Sequence, residues 1–240
     1  MIGSSAPEKP LLRVEDPPQT LVEHLTELRT RLIWSLLAVG AASVAVYPWS
    51  GALLSRLARP AGTLFFNAPA DAFLTRLRVA VFAGFALALP VVLAQVWLFT
   101  ARAMEPRWRS AVGRLLPLSY VLFLCGAGLA FFVVAPAAVR FLIAFGSDDI
   151  RPLLSLGAYV SFVTDLMLSF GAVFQLPLVL VGLNRAGLVS RKFLSERRRL
   201  AWFLAVVGAA VLTPGPDVVS QAALALPAGA LFELTLLSLA

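Results

Sequence analysis

The chain has 240 residues, 60% hydrophobic and 14% charged, against roughly 45–50% apolar and about 25% charged in soluble domains, which excludes a water-soluble globule. One cysteine, Cys125, and one histidine, His24, exclude a disulfide framework, a Cys-rich metal centre and most zinc, haem and Ser-His chemistry, so neither metal nor cofactor is expected and the chain reads as no enzyme. The 20 Lys+Arg against 13 Asp+Glu accompany long apolar runs and are read as orienting membrane segments rather than binding nucleic acid.

Residues 1–19 are polar and rich in proline (Pro7, Pro10, Pro17, Pro18) and read as a flexible cytoplasmic tail without the pattern of a cleavable leader. Thr20 and Glu23 have capping-box spacing, and Leu21, Leu25, Leu28 and Leu32 recur at threes and fours. A helix is therefore expected to start there and run along the membrane surface into the first span. On another of its faces Glu23, Glu27 and Arg31 line up, which periodicity alone leaves open between an i,i+4 charge ladder and a site.

A helix crosses about 30 Å of hydrocarbon at about 1.5 Å per residue, and six apolar runs meet or approach this need, at about 32–47, 79–99, 115–136, 159–183, 200–212 and 218–239. The fifth is short, bounded by Arg197-Arg198-Arg199 and Thr213-Pro214-Gly215-Pro216-Asp217. The last two are expected to span a locally thinned bilayer, a re-entrant hairpin being the alternative. Segments before the first span and after the second and fourth carry fourteen Lys+Arg and the other connections six, which predicts both termini inside. Pro90, Pro117, Pro177 and Pro227 interrupt runs that should be helical, and Pro136 ends one. Each removes a donor and clashes with a preceding carbonyl, so the spans should kink and build a curved, cup-like wall rather than a straight bundle. The fold class is an all-α integral membrane protein of one six-helix domain, residues 20–240.

Polar residues at membrane depth are costly, and so are usually functional or paired. Asp165 lies near the outer end of the fourth span, Gln175 ten residues further along, and Glu233 near the inner end of the last. Gln175 needs hydrogen-bond partners from a polar cavity or an inserted peptide, and Asp165 has no other carboxylate in its run with which to build an acid pair.

Together these motifs resemble the TatC family, the polytopic subunit of the twin-arginine protein translocase. His24-Leu25-Thr26-Glu27-Leu28-Arg29-Thr30-Arg31-Leu32 resembles its HLxELRxRL signature, and Pro90 through Gln95, Trp97 and Phe99 its PxxxxQxWxF stretch. Phe131 to Pro136 and Tyr159 to Pro177, with Phe170-Gly171 and Phe174-Gln175, are similar to its third- and fourth-span elements. Thr213-Pro214, Pro216-Asp217, Ser220-Gln221 and Pro227 through Glu233 resemble TPxD…SQ…P…LYE. The departures are Arg102 for a proline, Trp108-Arg109 for a Glu-Arg pair, Gln175 for a glutamate, and the extra Gly215.

The resemblance implies a multi-pass protein of a bacterial or archaeal plasma membrane that binds twin-arginine signal peptides of folded cargo. It further implies assembly with TatA and TatB, self-association, and export driven by proton-motive force. Arginine forks favour carboxylates, so Glu27 is the first candidate for the paired arginines. Glu105 is second and stands in for the missing loop glutamate, with Arg29 and Phe99 beside them and Glu23 third. Gln175, Phe174 and Pro177 are candidate contacts for the signal peptide's apolar part or a TatA or TatB helix, while Pro90, Gln95, Asp217, Gln221 and Glu233 are matched family positions. A secondary transporter of a small solute is the alternative, but residues 30–120 and 120–240 show no internal repeat.

Overall fold

A computed structural model describes residues 21–102, 112–144, 153–185, 187–213 and 217–239. Among these the backbone is helical, apart from turns and one isolated parallel bridge between Phe65 and Ser155. The helices are α1 (Leu21–Val46), α2 (Ser50–Ala58), α3 (Pro69–Arg102), α4 (Val112–Leu129), α5 (Ala135–Ile143), α6 (Leu156–Val173), α7 (Leu176–Arg185), α8 (Arg191–Glu196), α9 (Arg198–Leu212) and α10 (Val218–Ser238). Among the described residues five stretches are long and apolar enough to cross a membrane: Val22–Ala61, Pro69–Thr100, Leu115–Ile143, Leu156–Arg185 and Val218–Ser238. With 15 residues, α9 rises about 22 Å and falls short of the others. The expected terminal tail, residues 1–19, lies outside the described residues.

One boundary differs from the sequence reading. The second span begins at Pro69 rather than near residue 79, because Asp71 sits in its first turn and favours the helix N-terminus. The first connection carries a helix of its own, since α2 buries Ser50 and packs Leu53, Leu54 and Leu57 against the central apolar cluster.

The prolines act in three different ways. Pro90, Pro117 and Pro227 are absorbed inside α3, α4 and α10. Ahead of Pro136 the third span widens into a π-bulge over Ala130–Val134, the kind of local re-registration that accompanies a missing backbone donor. Pro177 has no N–H for the Val173 carbonyl, and here the fourth span breaks, with Gln175 N turning to Ala172 O at 3.0 Å.

Close approaches set the packing order. Ser43 meets Gly84 on α3, where any Cβ would overlap the Ser43 backbone, so α1 and α3 form a tight antiparallel pair. Gly126 on α4 admits the Phe170 carbonyl, and Gly171 on α6 admits the Phe123 ring. The main core cluster gathers around Val160, Val163, Leu166 and Phe170 on α6, all fully buried, with a second around Leu89, Trp97 and Phe123 and a third around Leu194, Phe232 and Leu236. Most other large apolar side chains on α1 face outward, among them Leu36 at 61% and Val44 at 76% exposure, as a bilayer requires.

Candidate functional site

The first polar constellation lies where the beginning of α1 meets the end of α3. Arg31 donates from Nε to Glu27 Oε1 at 2.7 Å, places Nη2 2.6 Å from the same oxygen, and donates from Nη1 to Gln95 Oε1 at 3.1 Å. The Glu27 and Arg31 side chains are only 11% and 16% exposed, so the charge is held in a partly desolvated place where a fork-shaped donor counts for more than in water. One turn earlier the His24 ring stacks on Phe99, with centroids 4.4 Å apart and planes at 26°. Arg29 is exposed on α1. Trp97, beside Phe99, is buried at 6% exposure and abuts the backbone of Gly182.

The second constellation is at the break in the fourth span. Ser119 on α4 is wholly buried and donates from Oγ to Gln175 Oε1, while Gln175 Nε2 donates to the Ser119 carbonyl at 3.0 Å. The partners that an amide needs at this depth are thus supplied by α4 itself. Phe174 and Pro177, on either side, line a recess of about 340 Å³ with Leu122, Cys125, Leu231 and Leu234.

At the α9–α10 pair, Glu233 accepts from Trp202 Nε1 at 3.4 Å and lies 3.6 Å from Arg198. Gly229 makes room for the Trp202 ring. Asp217 caps α10, its Oδ1 accepting from Ser220 N at 2.6 Å. Its Oδ2 and the Ser220 hydroxyl are buried with no hydrogen-bond partner among the described residues. Gln221 follows in the first turn, half-buried.

At the opposite end of α3 from His24, Arg78 Nη2 donates to both carboxylate oxygens of Asp165 at 2.7 Å each, and Nε donates to Thr164 Oγ1 at 3.3 Å. Asp165 therefore has a cation partner on the second span. Arg78 also borders an open groove of about 650 Å³ between the beginnings of α3 and α6, with Asp71, Thr75 and Ser161.

Of the candidate residues, Glu27, Gln95 and Phe99 come together at the α1–α3 junction, with Arg29 on its surface, and Phe174 and Pro177 share the recess beside Gln175. Asp217, Gln221 and Glu233 are spread along α10, far from the α1–α3 junction in sequence, and Pro90 sits inside α3. Glu105 lies outside the described residues. Sequence reasoning did not single out Ser119 or the contact of Arg78 with Asp165. Ser119 was visible only as a hydroxyl in an apolar run, and nothing in the run indicated its partner.

Fold and polar staples define a multi-pass helical membrane protein whose spans are joined by isolated polar pairs. A model of the Sec-independent protein translocase protein (TatC) matches residues 23–227. The Sec-independent protein translocase protein TatC of Carboxydothermus hydrogenoformans is 38% identical over 228 residues, which cover 93% of this chain and 93% of that one. The chloroplastic relative of Arabidopsis thaliana is 35% identical over 217 residues, 89% of this chain and 64% of that protein. A crystal structure of the twin arginine translocase receptor TatC superposes with a TM-score of 0.78 at 33% identity, covering 90% of this chain and 97% of that one. The chain belongs to the TatC family and is a multi-pass membrane component of a Sec-independent protein translocase.

Proposed function

We infer that this chain is the signal-peptide receptor of a twin-arginine translocase, with Glu27 as the carboxylate that engages the paired arginines. The observation that carries the reading is the Glu27–Arg31–Gln95 chain, a desolvated carboxylate already engaged with a guanidinium. A signal-peptide arginine shares that carboxylate or displaces Arg31 from it, and a lysine, lacking the planar fork, does so poorly. Glu105 supplies the second carboxylate, with Arg29 and the His24–Phe99 stack framing the approach.

The apolar part of the signal peptide, or a TatA or TatB helix, lies along the curved wall of the proline-broken spans and sets a side chain into the recess of Phe174 and Pro177. Six spans, with α9 and α10 crossing a thinned bilayer, leave both termini in the cytoplasm of a bacterial or archaeal cell. The chain binds and assembles, and proton-motive force supplies the work of export.

Site-specific photo-crosslinking in membranes tests this reading. A probe next to the paired arginines of a signal peptide is expected to label residues 21–31 and 100–114, and to lose that labelling with Glu27→Gln or with a twin-lysine peptide. Loss with Glu105→Gln assigns the second carboxylate. Undiminished labelling by the twin-lysine peptide sinks the receptor reading and favours a small-solute transporter.

A further inference from the structure

Between α7, α8, α9 and α10 lies a second recess, of about 340 Å³, whose lining is almost wholly apolar. Leu194, Ala228 and Phe232 form its buried floor, while Leu200 and Leu204 stand exposed at its edge. One part of the rim is cationic. Arg197 lines the recess at the corner between α8 and α9, and its guanidinium lies 4.3 Å from the centroid of the Phe193 ring. Stacking on a ring leaves the edge N–H groups of a guanidinium free to bind an anion.

Arg198 and Arg199 follow directly, and residues 184–199 carry six basic side chains against the single acid Glu196. The Arg198 contact with Glu233 is long, at 3.6 Å, and half of the Arg198 side chain is exposed. That carboxylate therefore offsets only part of the positive charge at the mouth.

We propose that this recess holds one acyl chain of an anionic phospholipid whose phosphate is bound by Arg197, with Arg198 and Arg199 beside it. Size and charge both select this occupant. A protein helix, about 10–12 Å across with its side chains, does not enter a 340 Å³ slot, whereas a single hydrocarbon chain does. An excess of arginine above an apolar slot between membrane helices matches a phosphate above its acyl chain, and clusters of this kind attract anionic headgroups. The bound lipid would fill the gap over the short helix α9 and fix the α8–α9 corner to the bilayer surface.

Native mass spectrometry of the detergent-purified chain, mixed with equal amounts of dioleoyl phosphatidylglycerol and dioleoyl phosphatidylcholine, tests the proposal. Phosphatidylglycerol is expected to be retained in preference. Arg197→Gln should lower that preference by about tenfold, the scale of one lost charge-assisted contact, and Arg140→Gln on α5 should leave it unchanged. Ala205→Phe, which narrows the slot, should lower retention of both lipids, and glycerol 3-phosphate should not compete. Equal retention of the two lipids by the wild-type chain, or an unchanged preference in Arg197→Gln, overturns the proposal, as does full competition by glycerol 3-phosphate. A photoreactive side chain at Leu204 in native membranes is expected to label lipid. A protein adduct there instead assigns the recess to a neighbouring subunit and also overturns the proposal.

Discussion

Ser119 and Gln175, 56 positions apart, bind one another reciprocally across two spans: the hydroxyl donates to the amide oxygen and the amide donates to the serine carbonyl. The pair sits where Pro177 breaks the fourth span, so a helix with a missing backbone donor is tied to its neighbour by side-chain bonds instead. An amide can play both parts of this exchange. An ionised carboxylate could accept from the hydroxyl but could not donate to the carbonyl.

Removing one member of that pair should cost more than removing both. Ser119→Ala and Gln175→Leu are each expected to destabilise the detergent-solubilised protein, with a coupling of about 0.6–1.7 kcal/mol, the range of interhelical hydrogen bonds in membranes. Reversible unfolding of the two single variants and the double variant measures it. A coupling of zero would mean that the hydroxyl–amide bond contributes nothing beyond local contacts, since Ser119→Ala leaves the backbone carbonyl in place as an acceptor.

The three side chains at the α1–α3 junction should rank in effect. Glu27→Gln removes the acceptor charge and is expected to abolish arginine-dependent crosslinking to a signal peptide. Arg31→Lys keeps the charge but loses the fork, giving an intermediate result. Gln95→Leu should matter least, since Arg31 still holds Glu27 through Nε and Nη2. An order with Gln95→Leu as the most damaging would make the glutamine the primary contact.

Arg78 reaches both carboxylate oxygens of Asp165 through the single nitrogen Nη2, yet the two side chains are 43% and 40% exposed. A double-mutant cycle with Arg78→Ala and Asp165→Ala is expected to give a coupling of about 0.2–1 kcal/mol. That coupling should shrink as salt is raised from low ionic strength, because water reaches an exposed pair and mobile ions screen it. A coupling indifferent to salt would place the pair in a dry environment.

Glycines of the same type should respond oppositely according to their neighbours. Gly171→Val drives a side chain into the Phe123 ring and is expected to cost about 1–3 kcal/mol or more, visible as loss of monodisperse protein after detergent extraction. Gly40→Ala has no neighbour within 4 Å, so it should leave thermal stability unchanged or raise it, as alanine does within a helix.

Much of the architecture was legible because membranes impose a simple rule. Hydrocarbon thickness translates into run length, and runs at 115–136 and 159–183 anticipated the stretches Leu115–Ile143 and Leu156–Arg185. The start of the second span was missed by ten residues because Asp71, Arg76 and Arg78 make its first turns polar, and hydropathy cannot distinguish a polar helical turn from a loop. The positions of prolines were plain, but their consequences were not. Pro90 is absorbed, Pro136 follows a π-bulge and Pro177 breaks the helix.

What the sequence determined by itself was the solvent, the approximate spans and the family resemblance, since each rests on local composition or on short motifs whose residues are close in the chain. It also singled out Glu27, Gln175 and Glu233 as polar groups in need of an explanation. Only the tertiary structure decided what answers them: Arg31 with Gln95, Ser119, and Trp202 with Arg198. Except for the nearby Arg31, these partners lie tens of residues away, and they meet because Gly84, Gly126 and Gly229 let helices approach closely at particular registers. A buried polar group specifies that it needs a partner, while the packing of small residues between helices decides which one it finds.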